Sequence, residues 1–182
     1  MSVKKYDTIV IGAGLVGLSV AYHLKQKNPD AKVLVIEKEK GVAKHQSGNN
    51  SGVMHSGIYY APGSLKAKNC IAGYNSLIEF ADEHNIPYEL CGKVIVATTP
   101  TEVAKLNDIY DRGIRNGLKN LRKLSSLEEI QEIEPHCTGI KGIHVPQTGI
   151  IDYPKMAETL LGLYQNKYGG CLLYTSPSPR DS

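Results

Sequence analysis

Tryptophan is absent from the 182 residues, and phenylalanine occurs once. A core must therefore lean on Val, Ile, Leu and Tyr. No stretch approaches the ~20 consecutive apolar residues of a membrane helix. The start, MSVKKYD, runs at once into TIVIGAG, which reads as leaving no room for a signal or transit peptide. Cysteine is sparse: Cys70, Cys91, Cys137 and Cys171 form no C-x-x-C pair. Neither a zinc site nor a disulfide framework is indicated, and reduced thiols in a cytoplasmic-type compartment are expected. A charge excess is missing too. The formal net charge is +3, too small to argue for a nucleic-acid surface. What remains is ordinary for a globular chain, since 41% hydrophobic content with low net charge excludes disorder as the main state.

The chain opens on YDTIVI, Tyr6 to Ile11, a β-branched run ending at glycine and so a buried strand signal. Leu15 to Lys27 carries Leu15, Val16, Leu18, Val20, Ala21 and Leu24 on helical spacing. Asn28-Pro29 stops that helix. KVLVI, Lys32 to Ile36, is a second strand, followed by Glu37. This is a βαβ unit with two parallel strands and a right-handed crossover. Gly41 to Gly63 is rich in Gly, Ser, Asn and His without periodicity, and so long a loop is usually functional or disordered. Ser64 can cap a helix with Leu65, Ile71, Tyr74, Leu77, Ile78 and Ala81 on one face. Tyr88 to Thr98 reads as a strand or hairpin. Thr101 is expected to cap a helix closed by Gly117. Ser126 and Glu129 have the spacing of a capping box. Gly142 to Asp152 reads as two short strands around a turn, and Pro154 opens a further helix.

The chemistry starts at GAGLVG. Gly12, Gly14 and Gly17 follow a strand and open a helix with G-x-G-x-x-G spacing. Gly12 permits the tight turn, Gly14 lets backbone approach a pyrophosphate, and Gly17 allows close helix–sheet packing. The helix N-terminus offers N–H groups to phosphates. Glu37, at the end of the second strand, can accept hydrogen bonds from both ribose hydroxyls and repels a 2′-phosphate, which disfavours NADP. The full context points to an adenine dinucleotide rather than a structural glycine turn. It does not separate FAD from NAD. The loop HQSGNNSGVMHSGIYY, His45 to Tyr60, favours FAD, because its small polar residues can wrap a second phosphate and reach a flavin ring with backbone N–H groups. A glycine-rich surface loop is the plainer alternative.

GAGLVGL, VIEKE, HQSGNNSGVMHSGIYYAPGSLKA, CGKVIVA and TGIIDY together resemble the L-2-hydroxyglutarate dehydrogenase/oxidase family, within the FAD-dependent oxidoreductases related to D-amino-acid and glycine oxidases. The resemblance covers Tyr6 to about Gly170. Asn49 departs from the histidine often found there. The resemblance implies FAD as cofactor and oxidation of L-2-hydroxyglutarate, a small 2-hydroxy acid, to 2-oxoglutarate, with a quinone or oxygen as electron acceptor. It implies an α/β fold in which a Rossmann-like FAD-binding βαβ unit precedes the beginning of a mixed α+β substrate domain, the fold being incomplete. Cofactor contact is expected from Gly12, Gly14, Gly17, Glu37, His45, Ser47, Gly48, Asn50, Ser51 and Gly52. His55 is the candidate catalytic base, with His45 beside it. Tyr59, Tyr60 and Lys66 are either holders of a substrate carboxylate or packing and solvated residues. A cytoplasmic location, or one peripheral to the inner membrane, is expected. Alternative readings are an FAD enzyme of an amino acid or another hydroxy acid, and a truncated product without function.

Residues 1–85 are expected to form the FAD-binding part, 86–152 the start of the substrate domain and 153–170 a returning helix. The tail CLLYTSPSPRDS, 171–182, changes character abruptly. It resembles the translation of a sequencing adaptor and is expected to offer neither strand nor helix.

Overall fold

The computed structural model describes residues 4–175. They fall into two compact units, one made of the chain up to Ser51 together with the chain from Asp152 onward, the other Gly52–Ile151. The expected first boundary at residue 85 moves to Ser51. The reason is local pairing: β3 (Val53–Met54) is zipped antiparallel to β8 (Gly149–Ile151), so the chain joins the second unit before the long helix α2 (Leu65–His84) begins.

The first unit is built on a parallel sheet in the order β1-β2-β9. β1 (Thr8–Ile11) and β2 (Val33–Glu37) pair in register from Thr8↔Val33 to Ile11↔Ile36. Helix α1 (Leu15–Lys27) crosses between them and packs on α5 (Tyr153–Gly162). β2 is central, and Val33, Leu34 and Val35 are buried, as expected for a parallel strand covered on both faces. The third strand corrects the sequence reading of the tail. Cys171–Tyr174 forms β9, parallel to β2 with Leu34↔Cys171 and Glu37↔Tyr174 paired. Four residues of this composition satisfy an open parallel edge whatever follows them. Residues 176–182 of the same expected segment lie outside the described residues.

α5 starts at an Asp152 cap, whose Oδ1 accepts from the Lys155 N–H at 2.8 Å, and runs into a π-helical turn at Leu163–Lys167. That turn places Tyr164 with no exposed surface. Its hydroxyl donates to the Val33 carbonyl at 2.7 Å and accepts from the Cys171 N–H at 3.0 Å. Burial, only partly offset by the Cys171 backbone bond, pushes the Tyr164 phenol up to about 12. One side chain thus ties the helix end to two strands.

The second unit carries two antiparallel sheets, β3-β8-β4 and β5-β7-β6. β4 (Tyr88–Glu89) and β5 (Lys93–Ala97) were expected as one strand or a hairpin. They pair instead with β8 and with β7 (Lys141–Val145), in different sheets. Gly92, at φ +74°, turns the chain between them in a conformation that favours glycine. β6 (Arg122–Leu124) completes the second sheet. Its core is Ile58, Ala97, Leu106, Leu118, Ile143 and Val145, closed on one side by α3 (Pro100–Arg115). The cap of α3 is Thr99, not Thr101. Pro100 suits the first helical position, and Glu102 completes a capping box by accepting from the Thr99 N–H at 3.1 Å. α2 has its expected Ser64 cap. α4 (Leu127–Gln131) has the Ser126 cap, its Oγ accepting from the Glu129 N–H at 3.3 Å.

Candidate dinucleotide site

The glycine loop between β1 and α1 is held open by its own backbone. Gly12 has φ +98°, a left-handed value that suits glycine. A Cβ on Gly17 would lie 2.0 Å from the Gly12 carbonyl oxygen, and one on Gly14 would lie 2.9 Å from Ser47 Oγ. Gly17 is therefore a packing requirement. Gly14 keeps clear the space between the loop and residue 47. Gly14 has no side chain to cap α1, and the Leu15 N–H is taken by Ser47 Oγ at 3.0 Å. The Val16 and Gly17 N–H groups, which have no intrahelical acceptor, remain at the positive end of the helix.

Glu37 is the anchor of the site. It is 8% exposed. Its Oε2 accepts from the Ala13 N–H at 2.7 Å and its Oε1 from the Glu39 N–H at 2.8 Å. Burial alone would push its carboxyl upward. The backbone N–H groups of Glu39, Ala13 and Lys38, with His45 nearby, outweigh this and hold it below the usual glutamate value. Sequence reasoning assigned Glu37 to the ribose alone. The geometry adds a second duty, latching the glycine loop to the end of β2.

Residues 41–50 fold back on this loop. The Ala43 N–H donates to the Ala13 carbonyl at 3.1 Å. Asn49 Nδ2 donates to the carbonyls of Lys44 and His45, and Asn50 Nδ2 to those of Gln46 and Ser47. A Cβ on Gly48 would sit 2.1 Å from the Ala43 carbonyl oxygen, so this turn too depends on a missing side chain. His45 Nε2 lies 2.8 Å from Glu39 Oε1. The result is a cleft of about 450 Å³ lined by Gly12, Gly14, Ile36, Glu37, Ala43, His45 and Ser47, among others, with Thr175 at its edge. Gly48 and Asn50 do not line it; they brace the turn that does. Ser51 is exposed. Gly52, at φ +69°, belongs to the second unit, where its carbonyl accepts from the Ile151 N–H at 2.9 Å. The contributions of Ala13, Ala43 and Thr175 are made by backbone or by late-chain residues and carry no motif.

His55 also belongs to the second unit. Met54, Ser56, Gly57 and Ile58 around it are buried while His55 is exposed. Its carbonyl accepts from Cys70 Sγ at 3.2 Å. The backbone is thus fixed at its carbonyl while the imidazole is exposed. Among the described residues no group of His, Cys, Asp and Glu is placed to hold a metal ion.

A glycine loop on a helix N-terminus and an acidic residue at the end of the second strand suit the diphosphate and ribose of an adenine dinucleotide. A match to the FAD dependent oxidoreductase family (DAO) runs over residues 7–176. The chain belongs to that family. It is 54% identical over 160 residues to L-2-hydroxyglutarate dehydrogenase of Indibacter alkaliphilus, covering 88% of this chain and 40% of that one. It is 49% identical over 154 residues to the mitochondrial L-2-hydroxyglutarate dehydrogenase of Nematostella vectensis, covering 85% and 34%. Among solved structures, the dithionite-reduced, FAD-bound L-alpha-glycerophosphate oxidase of Mycoplasma pneumoniae superimposes with a TM-score of 0.82 at 29% identity, over 94% of this chain and 45% of that one. The chain therefore spans about 40% or less of the length of these two dehydrogenases. FAD is the cofactor of the family, and the cleft fits it. Gly12, Gly14 and the start of α1 would hold the diphosphate, and Glu37 the adenosine ribose.

Proposed function

We propose that this chain is the FAD-binding and first substrate-domain portion of an enzyme that oxidises L-2-hydroxyglutarate to 2-oxoglutarate. The observation that carries the reading is the 54% identity to an L-2-hydroxyglutarate dehydrogenase across a segment in which the glycine loop, Glu37 and the 41–50 turn form one built cleft. FAD, when bound, would supply the acceptor for the hydride equivalent lost from substrate C2. The chain's own residues do the rest. Gly12, Gly14, Glu37, His45 and Ser47 position the cofactor, Gly48 and Asn50 shape the turn, and His55 accepts the proton of the substrate hydroxyl. The unit up to Ser51 and from Asp152 holds the cofactor, and Gly52–Ile151 begins the substrate domain.

Electrons leave to a quinone or to oxygen. A cytoplasmic site, peripheral to the inner membrane, goes with quinone as acceptor; among the described residues no helix is long and apolar enough to cross a membrane. The likeness to a glycerophosphate oxidase favours a second reading, in which the same scaffold oxidises another hydroxy compound. Turnover by a full-length protein carrying this sequence separates the two, with L-2-hydroxyglutarate set against glycerol 3-phosphate, glycine and L-proline. Turnover of L-2-hydroxyglutarate with kcat/KM well above the others is expected; preference for any of the others refutes the reading. In the same protein, His55→Ala is expected to lower kcat by ~10²–10⁴-fold with flavin retained. Near-normal turnover would remove His55 from the mechanism.

A further inference from the structure

Side chains alternate along β5, so Lys93, Ile95 and Ala97 share a face. Ala97 and Ile95 belong to the core of the second unit, and the residue paired with Lys93 across the sheet is the buried Val145. A lysine therefore stands where the pattern calls for an apolar residue. Its Nζ lies 4.4 Å from the centre of the Tyr59 ring. Among the described residues no carboxylate lies within 4.0 Å of it. Burial lowers the pKa of its ammonium, with no opposing charge to raise it.

Two other lysines, Lys123 and Lys25, have hydrogen-bond acceptors of their own. Lys123, which also sits 4.4 Å over a tyrosine, donates to Asn107 Oδ1 at 3.2 Å, and Lys25 donates to the Pro29 and Ala31 carbonyls. Lys66, the basic residue that the sequence suggested, is exposed on α2. Among the described residues, Lys93 alone combines partial burial with an aromatic ring beneath its ammonium.

The backbone that carries this ring is tethered. Asn116 Nδ2 donates to the Gly57 carbonyl at 3.1 Å and the Tyr60 carbonyl at 3.0 Å, and Arg112 Nη1 to the Tyr59 carbonyl at 3.4 Å. Tyr59 nevertheless leaves 48% of its surface exposed. A ring on a tethered backbone and an unmatched ammonium, open to solvent, form a receptor for an anion. His55 lies four residues upstream on the same segment, at most ~14 Å away along the chain.

We propose that Lys93, seated on Tyr59, is the specificity-determining cation that takes the carboxylate of a dicarboxylate substrate remote from the carbon being oxidised. This rests on the function proposed above, with His55 serving the hydroxyl end. Tyr59 fixes the ammonium's position, and the arriving carboxylate supplies the opposite charge that the fold withholds.

The test uses a full-length protein carrying this sequence, with Lys93→Met, which keeps the apolar stem, and Lys93→Arg. Lys93→Met is expected to raise the KM for L-2-hydroxyglutarate ~10–100-fold, the loss of one charge-assisted hydrogen bond. The KM for 2-hydroxybutyrate, which lacks the remote carboxylate, and the flavin absorbance should stay the same, and Lys93→Arg should recover part of the loss. Equal shifts for both substrates, or none, overturn the proposal. Calorimetric titration with glutarate decides the matter independently of turnover. Binding to the parent that weakens in Lys93→Met supports the proposal; equal affinity, or no binding to the parent, overturns it. A parent that binds glutarate in a Lys93-dependent way but does not oxidise L-2-hydroxyglutarate would refute the proposed reaction and leave the anion site standing.

Discussion

Gly17→Ala adds one methyl group, and its cost can be worked from the geometry. The new Cβ would lie 2.0 Å from the Gly12 carbonyl oxygen, 3.2 Å from the Gly12 carbonyl carbon and 3.4 Å from Val10 Cγ1. To reach ordinary contact, α1 must withdraw from the turn by about 1 Å. Gly12 cannot yield cheaply, because its φ of +98° already fixes the turn. The helix cannot yield cheaply either, because Leu18 and Ala21 have no exposed surface. A gap of that size forfeits a quarter to a half of the dispersion energy along the packed face. Overpacking of this kind costs ~1–3 kcal/mol and sometimes more; with backbone as the obstacle, ~3 kcal/mol is the working value. With a urea slope of ~1–3 kcal/mol/M, the midpoint should fall by about 1 M or more. The shift also carries the helix N–H groups away from the diphosphate, so flavin absorbance should drop in the purified full-length protein. Gly73→Ala is the control. It lies inside α2 with nothing within 4 Å of the added Cβ, and should stabilise by ~0.5–1 kcal/mol through helix propensity alone. An unchanged midpoint and flavin content in Gly17→Ala would refute the reasoning.

Two further substitutions test the anchors of the first unit. Glu37→Gln leaves one acceptor oxygen where there were two, so either the Ala13 or the Glu39 N–H meets an amide NH₂; a loss of ~1–3 kcal/mol is expected in urea unfolding. Because the folded carboxyl is held below the usual glutamate value, its contribution is present above about pH 4.3 and is lost as the pH falls through the lower folded value. The acid limb of stability against pH should therefore be flatter in Glu37→Gln, and an identical limb would count against the latch. Tyr164→Phe strips partners from the Val33 carbonyl and the Cys171 N–H, with ~1–3 kcal/mol expected. The phenol at about 12 against ~10 in the unfolded chain favours the neutral form, so its contribution is complete below pH 10 and disappears as the pH rises to 12. Urea midpoints at pH 9 and 11 should diverge less in the variant than in the parent.

The first βαβ unit was legible because its signals are local. A β-branched run, a glycine turn, an amphipathic helix and an Asn-Pro stop all act within a few residues. The caps at Ser64 and Ser126 were legible for the same reason. Sheet partnership was not, because pairing of β5 with β7 joins Lys93 to Val145 across half a hundred residues, and nothing in YELCGKVIVAT shows that its two halves part at Gly92. β3 and β6 are too short to have a period. β9 was hidden by the Ser/Pro-rich residues behind it, whereas the open edge of β2 responds only to CLLY. At the site, the three glycines and Glu37 follow from a motif, while the Ala13–Ala43 and Ala13–Glu37 bonds involve backbone that no side-chain pattern marks. Lys93 lay inside a strand already assigned. Its signal was available in the alternation that puts it in line with Ile95 and Ala97.

The bond between the Gly52 carbonyl and the Ile151 N–H, 2.9 Å long, has a meaning for how the chain can be cut and rejoined. Gly52 and Ile151 are the first and last residues of the second unit, so that unit begins and ends at a single point, closed by the β3–β8 ladder. Bringing together the ends of a flexible loop of this length costs ~4 kcal/mol; here the ladder has already closed it. Such a segment behaves as a cassette. Its adjoining ends are the geometry that opening at a surface turn and rejoining at 52 and 151, as a circular permutant, would need.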